Sequence, residues 1–346
     1  MAFGGAGCPQ GYVTRTFTTK VMTTPAKSER AFELLVAAGD VWAWCIDRFH
    51  ERLRAGLPAA NSVVQLWPDQ KAHGPFGDLT AHCAQDVTKG WSASYFEVMR
   101  RRRAGQRAHL PLRKRYRLPV CWRRGEFELM ESGKGGRARV ELKTRRGAEN
   151  LTLTLARDHP YDPHLVRAVR LYAEAGELFV AITANVAVID ARSERATHAG
   201  VDPGIIHPLV VAAAAGNLVI SGRAIRSEEF LHLEDGKARQ RALERHRKPV
   251  RAYPGKPRQA GSRRWQKIAR SQRASEARSR RRVRLSANRA ANLAAEHIVD
   301  VARAGTVFIG DPRGIEKVGA GRVQNRRVGR WARTHTARAL GYRLGE

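Results

Sequence analysis

The stretch Thr197–Ile220, THAGVDPGIIHPLVVAAAAGNLVI, decides how the chain is read. Ala199, Gly200 and Val201 lead into Asp202, and Pro203-Gly204 breaks the run. Leu209 to Ala215 is apolar, Gly216-Asn217 turns again, and Leu218-Val219-Ile220 follows. Short apolar runs bounded by Pro-Gly and Gly-Asn predict three short strands joined by tight turns. Asp202 then falls at the end of an apolar strand. A carboxylate there either caps the Pro-Gly turn, a common role for Asp, or holds a cation, because one buried without a partner is costly. These residues alone leave the two readings even.

The arrangement recurs downstream. Thr306–Asp311, TVFIGD, reads as a second buried strand ending in a carboxylate, turned by Pro312-Arg313-Gly314. Between the two lies the most basic part of the chain. From Lys237 to Arg284 there are nineteen Lys or Arg against two acids, Glu244 and Glu276. Pro249 and Pro254-Gly255 divide this region into two helical arms. The second runs from about Gly261 through Trp265 and Ile268 to Leu285, then becomes more neutral at Leu293, Ala294, Ile298 and Val301. A basic helix is by default a solvated face. Here too few acids lie nearby to balance the arginines, and charge of this density suits a phosphate backbone. Arg263, Arg264, Lys267, Arg270 and Arg273 are candidate contacts on this arm. Arg326 and Arg327 are candidates in a final basic helix over Asn325–Tyr342, which also carries Trp331 and Leu340.

Toward the N-terminus, Tyr12–Met22 alternates with a period of two and is rich in Thr and Val, which predicts a strand. Thr24-Pro25 starts a helix whose apolar face holds Phe32, Leu35, Trp42, Cys45 and Phe49, with a break expected at Gly39-Asp40. Trp42 and Trp44 read as core. Residues 57–77 read as a loop. A second helix runs from about Leu79 to Arg103 with Ala84, Val87, Trp91 and Tyr95 on one face. It ends in Arg100, Arg101, Arg102 and Arg103. Cations suit a helix C-terminus, but four together exceed what the dipole needs and point to phosphate. Residues 111–190 read as evenly spaced short strands, the pattern of a small barrel or sandwich. The N-terminal strand joins this sheet, and the helices are inserted between its strands.

The 346-residue chain has a net charge of +31, so a polyanionic partner is implied. Nucleic acid fits charge spread over long helices better than a membrane surface does. No apolar run approaches the length of a spanning helix, and the N-terminus lacks the pattern of a secretory signal. The expected setting is the cytoplasm, with the protein associated with the nucleoid. Cys8, Cys45, Cys83 and Cys121 are far apart and form no CxxC pair, which excludes a finger-type zinc site and a disulfide framework.

Strand, strand, strand, long helical segment, strand, helix is the element order of an RNase H-like domain. Carboxylates at the ends of its adjacent strands can hold two divalent ions that activate water at a phosphodiester. An all-oxygen site suits Mg²⁺ or Mn²⁺. The fold class read from these patterns is α+β and multidomain. Residues 1–24 and 111–195 form a β-barrel, 25–110 an inserted helical domain, and 196–346 an RNase H-like domain with a basic helical insert at about 227–304.

The chain resembles the TnpB proteins of bacterial insertion sequences, the transposon relatives of type V CRISPR effectors. The resemblance is carried by Thr16-Phe17 to Pro25 with the Trp-rich helix after it, and by Arg101-Arg102-Arg103-Ala104-Gly105. It continues through the strand pair Tyr172–Val188, the GVDxG-like Gly200-Val201-Asp202-Pro203-Gly204, the arginine-rich arms and Ile309–Gly314. It implies a wedge-like barrel, a RuvC-type nuclease domain, a guide RNA, a DNA target and Mg²⁺-dependent DNA cleavage. Asp202 and Asp311 would be metal ligands and catalytic residues, and the transposase label would hold by association with the element. Two departures matter. Where the family has Glu then Asp after the fourth strand, this chain reads Gly310-Asp311. The family's zinc ribbon and third catalytic Asp would lie beyond Glu346. Three readings follow: an RNA-guided endonuclease with impaired cutting, a nuclease-dead RNA-guided DNA-binding protein acting as a remnant or repressor, and an actin-like or sugar-kinase ATPase in which Asp202-Pro203-Gly204 binds phosphate.

Overall fold

The computed structural model describes residues 11–57, 61–111, 116–130, 137–187, 196–204, 206–246, 263–310 and 333–344. Contacts divide the chain into two compact units, Met1–Ala187 and Val188–Glu346.

In the first unit, alternation along Tyr12–Met22 produces strand β1, whose Val13, Arg15, Phe17, Thr19 and Val21 turn inward while Thr14, Thr16, Thr18 and Lys20 stay exposed. Six further strands follow: β2 (Val120–Arg123), β3 (Phe127–Met130), β4 (Arg139–Leu142), β5 (Leu151–Leu155), β6 (Val166–Glu174) and β7 (Glu177–Ala187). They form one seven-stranded antiparallel sheet in the order β2-β6-β7-β1-β5-β4-β3. β1 bridges its two halves, pairing with β7 along Tyr12–Lys20 and with β5 at Val21–Met22. The two edge strands, β2 and β3, are consecutive in sequence and joined only by Arg124–Glu126, where Gly125 takes a φ of 89°. The sheet therefore curls until its edges nearly meet, which removes most of the unpaired edge. Val120, Trp122, Leu142, Leu153, Leu171 and Ile182 are all but fully buried in its core, and the Trp122 indole N–H donates to Lys143 O at 2.7 Å.

Three helices lie in sequence between β1 and β2: α1 (Pro25–Arg54), α2 (Val63–His73) and α3 (Ala81–Arg103). Two expectations are corrected here. α1 runs through Gly39-Asp40 without a break, because Gly39 faces the core with Leu35, Ala38 and Trp42, and packing outweighs the weak propensity of one glycine. Residues 57–77 are not all loop. Ser62 accepts from Gln65 N and the Gln65 side chain reaches back to Ser62 N, a capping box that starts α2.

The second unit contains β8 (His198–Asp202), β9 (Val210–Ala213), β10 (Leu218–Val219), α4 (Arg223–Arg245), α5 (Arg263–Glu296) with a π-helical turn at His297–Val301, β11 (Thr306–Ile309) and α6 (Arg333–Leu344). The three strands expected in Thr197–Ile220 are β8, β9 and β10. The sheet order is β10-β9-β8-β11, antiparallel except for the parallel pair β8 and β11. Small residues let α5 sit close: Ala287, Ala290, Ala291, Ala294 and Ala295 share a core with Ala199, Val201, Leu209 and Val211. β11 is not the buried strand that its sequence suggests. It is the edge strand, and Phe308 is 63% exposed. Among the described residues, no helix is long and apolar enough to cross a membrane.

Candidate functional site

The parallel pair β8 and β11 fixes the candidate carboxylate site. Val201 pairs with Ile309, and Gly310 N donates to Val201 O at 2.8 Å. Gly310 therefore lies beside Asp202 at the same end of the sheet. A methyl group built at Gly310 would stand 3.7 Å from Asp202 Oδ1, 3.4 Å from Pro203 Cδ and 3.5 Å from Val201 O. These are ordinary contact distances. Neither backbone conformation nor crowding demands glycine at this position, and a longer side chain there would begin alongside the Asp202 carboxylate.

Asp202 itself is exposed, not buried. Among the described residues its carboxylate has no hydrogen bond or ion pair, so no turn-capping bond is formed. The turn that follows is instead closed by the backbone, with Gly204 N donating to His207 O at 3.0 Å. Asp311 lies outside the described residues. Among those described, no group of three or more His, Cys, Asp or Glu side chains could hold a metal ion. A hard divalent cation takes about six oxygen ligands. One exposed carboxylate facing a glycine falls short of that donor set, so the described residues do not fit the metal pair.

The cationic candidates divide into three groups. On α3, Arg100 is already engaged: its Nε and Nη2 donate to Glu97 at 2.9 Å each, which lowers the Glu97 pKa and raises that of Arg100. Arg101 donates to Gln106 and Arg102 to Ala108 O, closing the end of the helix. Arg103 is exposed and has no such partner among the described residues. The four-arginine run is thus largely a structural terminus, which adjacency in sequence could not reveal.

On α5, Arg263, Arg264, Lys267, Arg270 and Arg273 are all exposed, and none has a carboxylate partner among the described residues. Arg263, Lys267, Arg270 and the previously unremarked Arg278 fall on one side of the helix at spacings of four, three and eight residues. They make a cationic stripe roughly 22 Å long at ~1.5 Å per residue. Farther along, the shortage of acids is partly corrected. Glu228 on α4 accepts from Arg282 at 3.1 Å, and Arg239 Nη1 donates to Ser271 O at 3.2 Å, so α4 is held against the opposite side of α5. Glu228 lies outside the basic window read in the sequence, so it was missed. Arg326 and Arg327 lie outside the described residues.

The buried thiols offer no nucleophile. Desolvation by burial pushes Cys45 up to about 12 and Cys121 to about 11, and raises Cys83 as well.

No protein-family model and no curated protein sequence matches the chain. Among solved structures, the Cas12f1 chain of a Cas12f1–sgRNA–target DNA complex superposes with a TM-score of 0.57 at 13% identity, over 97% of this chain and 88% of that one. The chain shares the Cas12f1 fold. A chain from a CRISPR–Cas12f ternary complex matches with a TM-score of 0.36 at 14% identity, over 93% and 70% of the two chains, and nothing rests on it. The Cas12f1 fold accounts for the mixed architecture and the nearly closed antiparallel sheet. At 13% identity it carries no residue roles across.

Proposed function

We propose that the chain is a TnpB-like, RNA-guided DNA-binding protein in which phosphodiester cutting at the RuvC-like position is impaired. The observation that carries this reading is the pairing of Asp202 with Gly310: the place beside the one available carboxylate bears no side chain, although a side chain fits there. The fold common to this chain and a protein solved with sgRNA and target DNA supports nucleic acid as the partner. The unpaired α5 stripe supports binding through phosphates, and the +31 charge supports a polyanion of some length. An actin-like ATPase would have no use for the basic helical arms between β10 and β11. Mg²⁺ or Mn²⁺, if bound, would fall on Asp202 and Asp311. A lone pair of carboxylates at the sheet end would hold it weakly.

The test is a cleavage and binding assay with Mg²⁺ and the RNA that co-purifies with the protein, on wild type, Asp202→Ala and Gly310→Glu. The expected result is RNA-dependent DNA binding that Asp202→Ala leaves unchanged, with little cutting by the wild type. Efficient wild-type cutting that Asp202→Ala abolishes would overturn the impaired-nuclease reading. Absence of RNA-dependent DNA binding would overturn the function altogether.

A further inference from the structure

The start of α4 is electrostatically at odds with its helix. Its N-cap is Gly222, no side chain caps it, and its first turn has no acid. Arg223 and Arg226 stand there, at the end where the macrodipole is already positive. This end is also held firmly. Gly222 N donates to Ile206 O at 3.1 Å and Arg226 Nη1 to the same oxygen at 2.9 Å. A Cβ at Gly222 would fall 2.6 Å from that oxygen, so the close approach requires glycine. Ile206 belongs to the turn that begins at Asp202, so the first turn of α4 is anchored to the loop next to the candidate carboxylate.

Arg223, Arg226, Ser227, Phe230 and Leu231 line one open depression on this helix. Arg226 and Phe230 are four residues apart and Arg223 and Phe230 seven apart, so all three share a face. Phe230 is 63% and Leu231 62% exposed, and no residue of α4 is buried. Two cations that need an anion, beside an aromatic face that needs a flat apolar partner, match alternating phosphates and bases. A free phosphate would leave Phe230 uncovered. An intact duplex offers phosphates but keeps its bases stacked inside.

We propose that Arg223, Arg226 and Phe230 form a stacking site for a single DNA strand with unpaired bases, beside the Asp202 turn. The proposal rests on the RNA-guided DNA-binding reading: pairing a guide to one DNA strand leaves the other strand unpaired, and that strand is the ligand assigned to this site.

The test measures affinity of the full chain for short oligothymidylate, oligouridylate, an abasic phosphodiester chain of equal length and duplex DNA. The variants are Phe230→Ala, Phe230→Trp and Arg223→Ala/Arg226→Ala. All three side chains are exposed, and circular dichroism checks that the variants fold. Phe230→Ala is expected to weaken oligothymidylate binding roughly tenfold, the loss of one base–aromatic stack. It should leave duplex binding, abasic-chain binding and the salt slope unchanged, and Phe230→Trp should retain the affinity. The double arginine variant should weaken both single-stranded probes and flatten the salt slope by about one to two. Oligothymidylate binding that is insensitive to Phe230 while duplex binding persists would overturn the site and leave the function standing. Stronger binding of oligouridylate would overturn the assignment to DNA. Self-association lost in Phe230→Ala with unchanged oligothymidylate binding would make the depression a contact between copies of the chain, and overturn the site. Wild-type failure to bind any nucleic acid would overturn the functional reading, and this site with it.

Discussion

Asp86 shows what one buried charge asks of its neighbours. It lies on α3, 5% exposed, and Arg123 on β2 reaches it with both Nε, at 3.0 Å, and Nη2. Lys89 Nζ is 3.8 Å away on the same helix. Asp86 thus ties α3 to the edge of the sheet, and its proximity raises the Arg123 pKa. Arg123→Met is predicted to destabilise the protein by about 2 kcal/mol, because it strands a buried carboxylate with only the distant Lys89. Asp86→Ala added to Arg123→Met should recover part of that loss, since no charge then remains buried. Urea melts of the single and double variants check this, and a double variant no more stable than Arg123→Met would show that the stranded charge is not the cause. Neither residue stands out in sequence, because 37 positions separate them and only the fold brings them together. Gly310 is the opposite case. Its departure from the family pattern is legible in TVFIGD, but its meaning needed the β8–β11 register, which sets it beside Asp202.

At the scale of elements, α5 separates structural cations from available ones. Its C-terminal half is an alanine face buried in the second core, and Arg282 is taken up by Glu228. Its N-terminal half carries Arg263, Arg264, Lys267 and Arg270 toward solvent without acidic partners among the described residues. Reversing these four to Glu is predicted to lower affinity for RNA and duplex DNA steeply. The slope of log K against log salt should be shallower by about three to four, as each lost phosphate contact releases one fewer counterion. Equilibrium titrations at several salt concentrations check this, and an unchanged slope would make the stripe only a solvated face. The strands were readable because alternation and Gly turns are local signals: β3 and β5 span the residues expected for them. α2 was hidden by a Pro- and Gly-rich composition, although Ser62-x-x-Gln65 signals its start. The exposure of β11 was unreadable because TVFI reads as buried, and only the sheet order makes it an edge. Arg100, Arg101 and Arg102 looked like a phosphate site because sequence displays adjacency and hides Glu97, Gln106 and Ala108 O, to which they bond.

For the whole molecule, charge is unequally shared. Residues 188–346 contain thirty-four Lys and Arg against fourteen Asp and Glu, so most of the +31 excess sits in the shorter unit. Like charges at that density oppose the compact state, and a bound polyanion relieves them. A ligand that binds only the folded state also stabilises it by mass action, ~2.7 kcal/mol at a hundredfold excess over Kd. Hydrogen exchange of the full chain with and without RNA is therefore predicted to show added protection concentrated in α4 and in α5, whose cations lie on the surface. The seven-stranded sheet around Trp122 and Ile182, closed by its own ladder and an apolar core, should change little. The gain should fade at high salt, because displaced counterions drive the binding. Added protection spread evenly over both units, or one indifferent to salt, would refute a polyanion site centred on the helical arms and assign the surplus charge to general solubility.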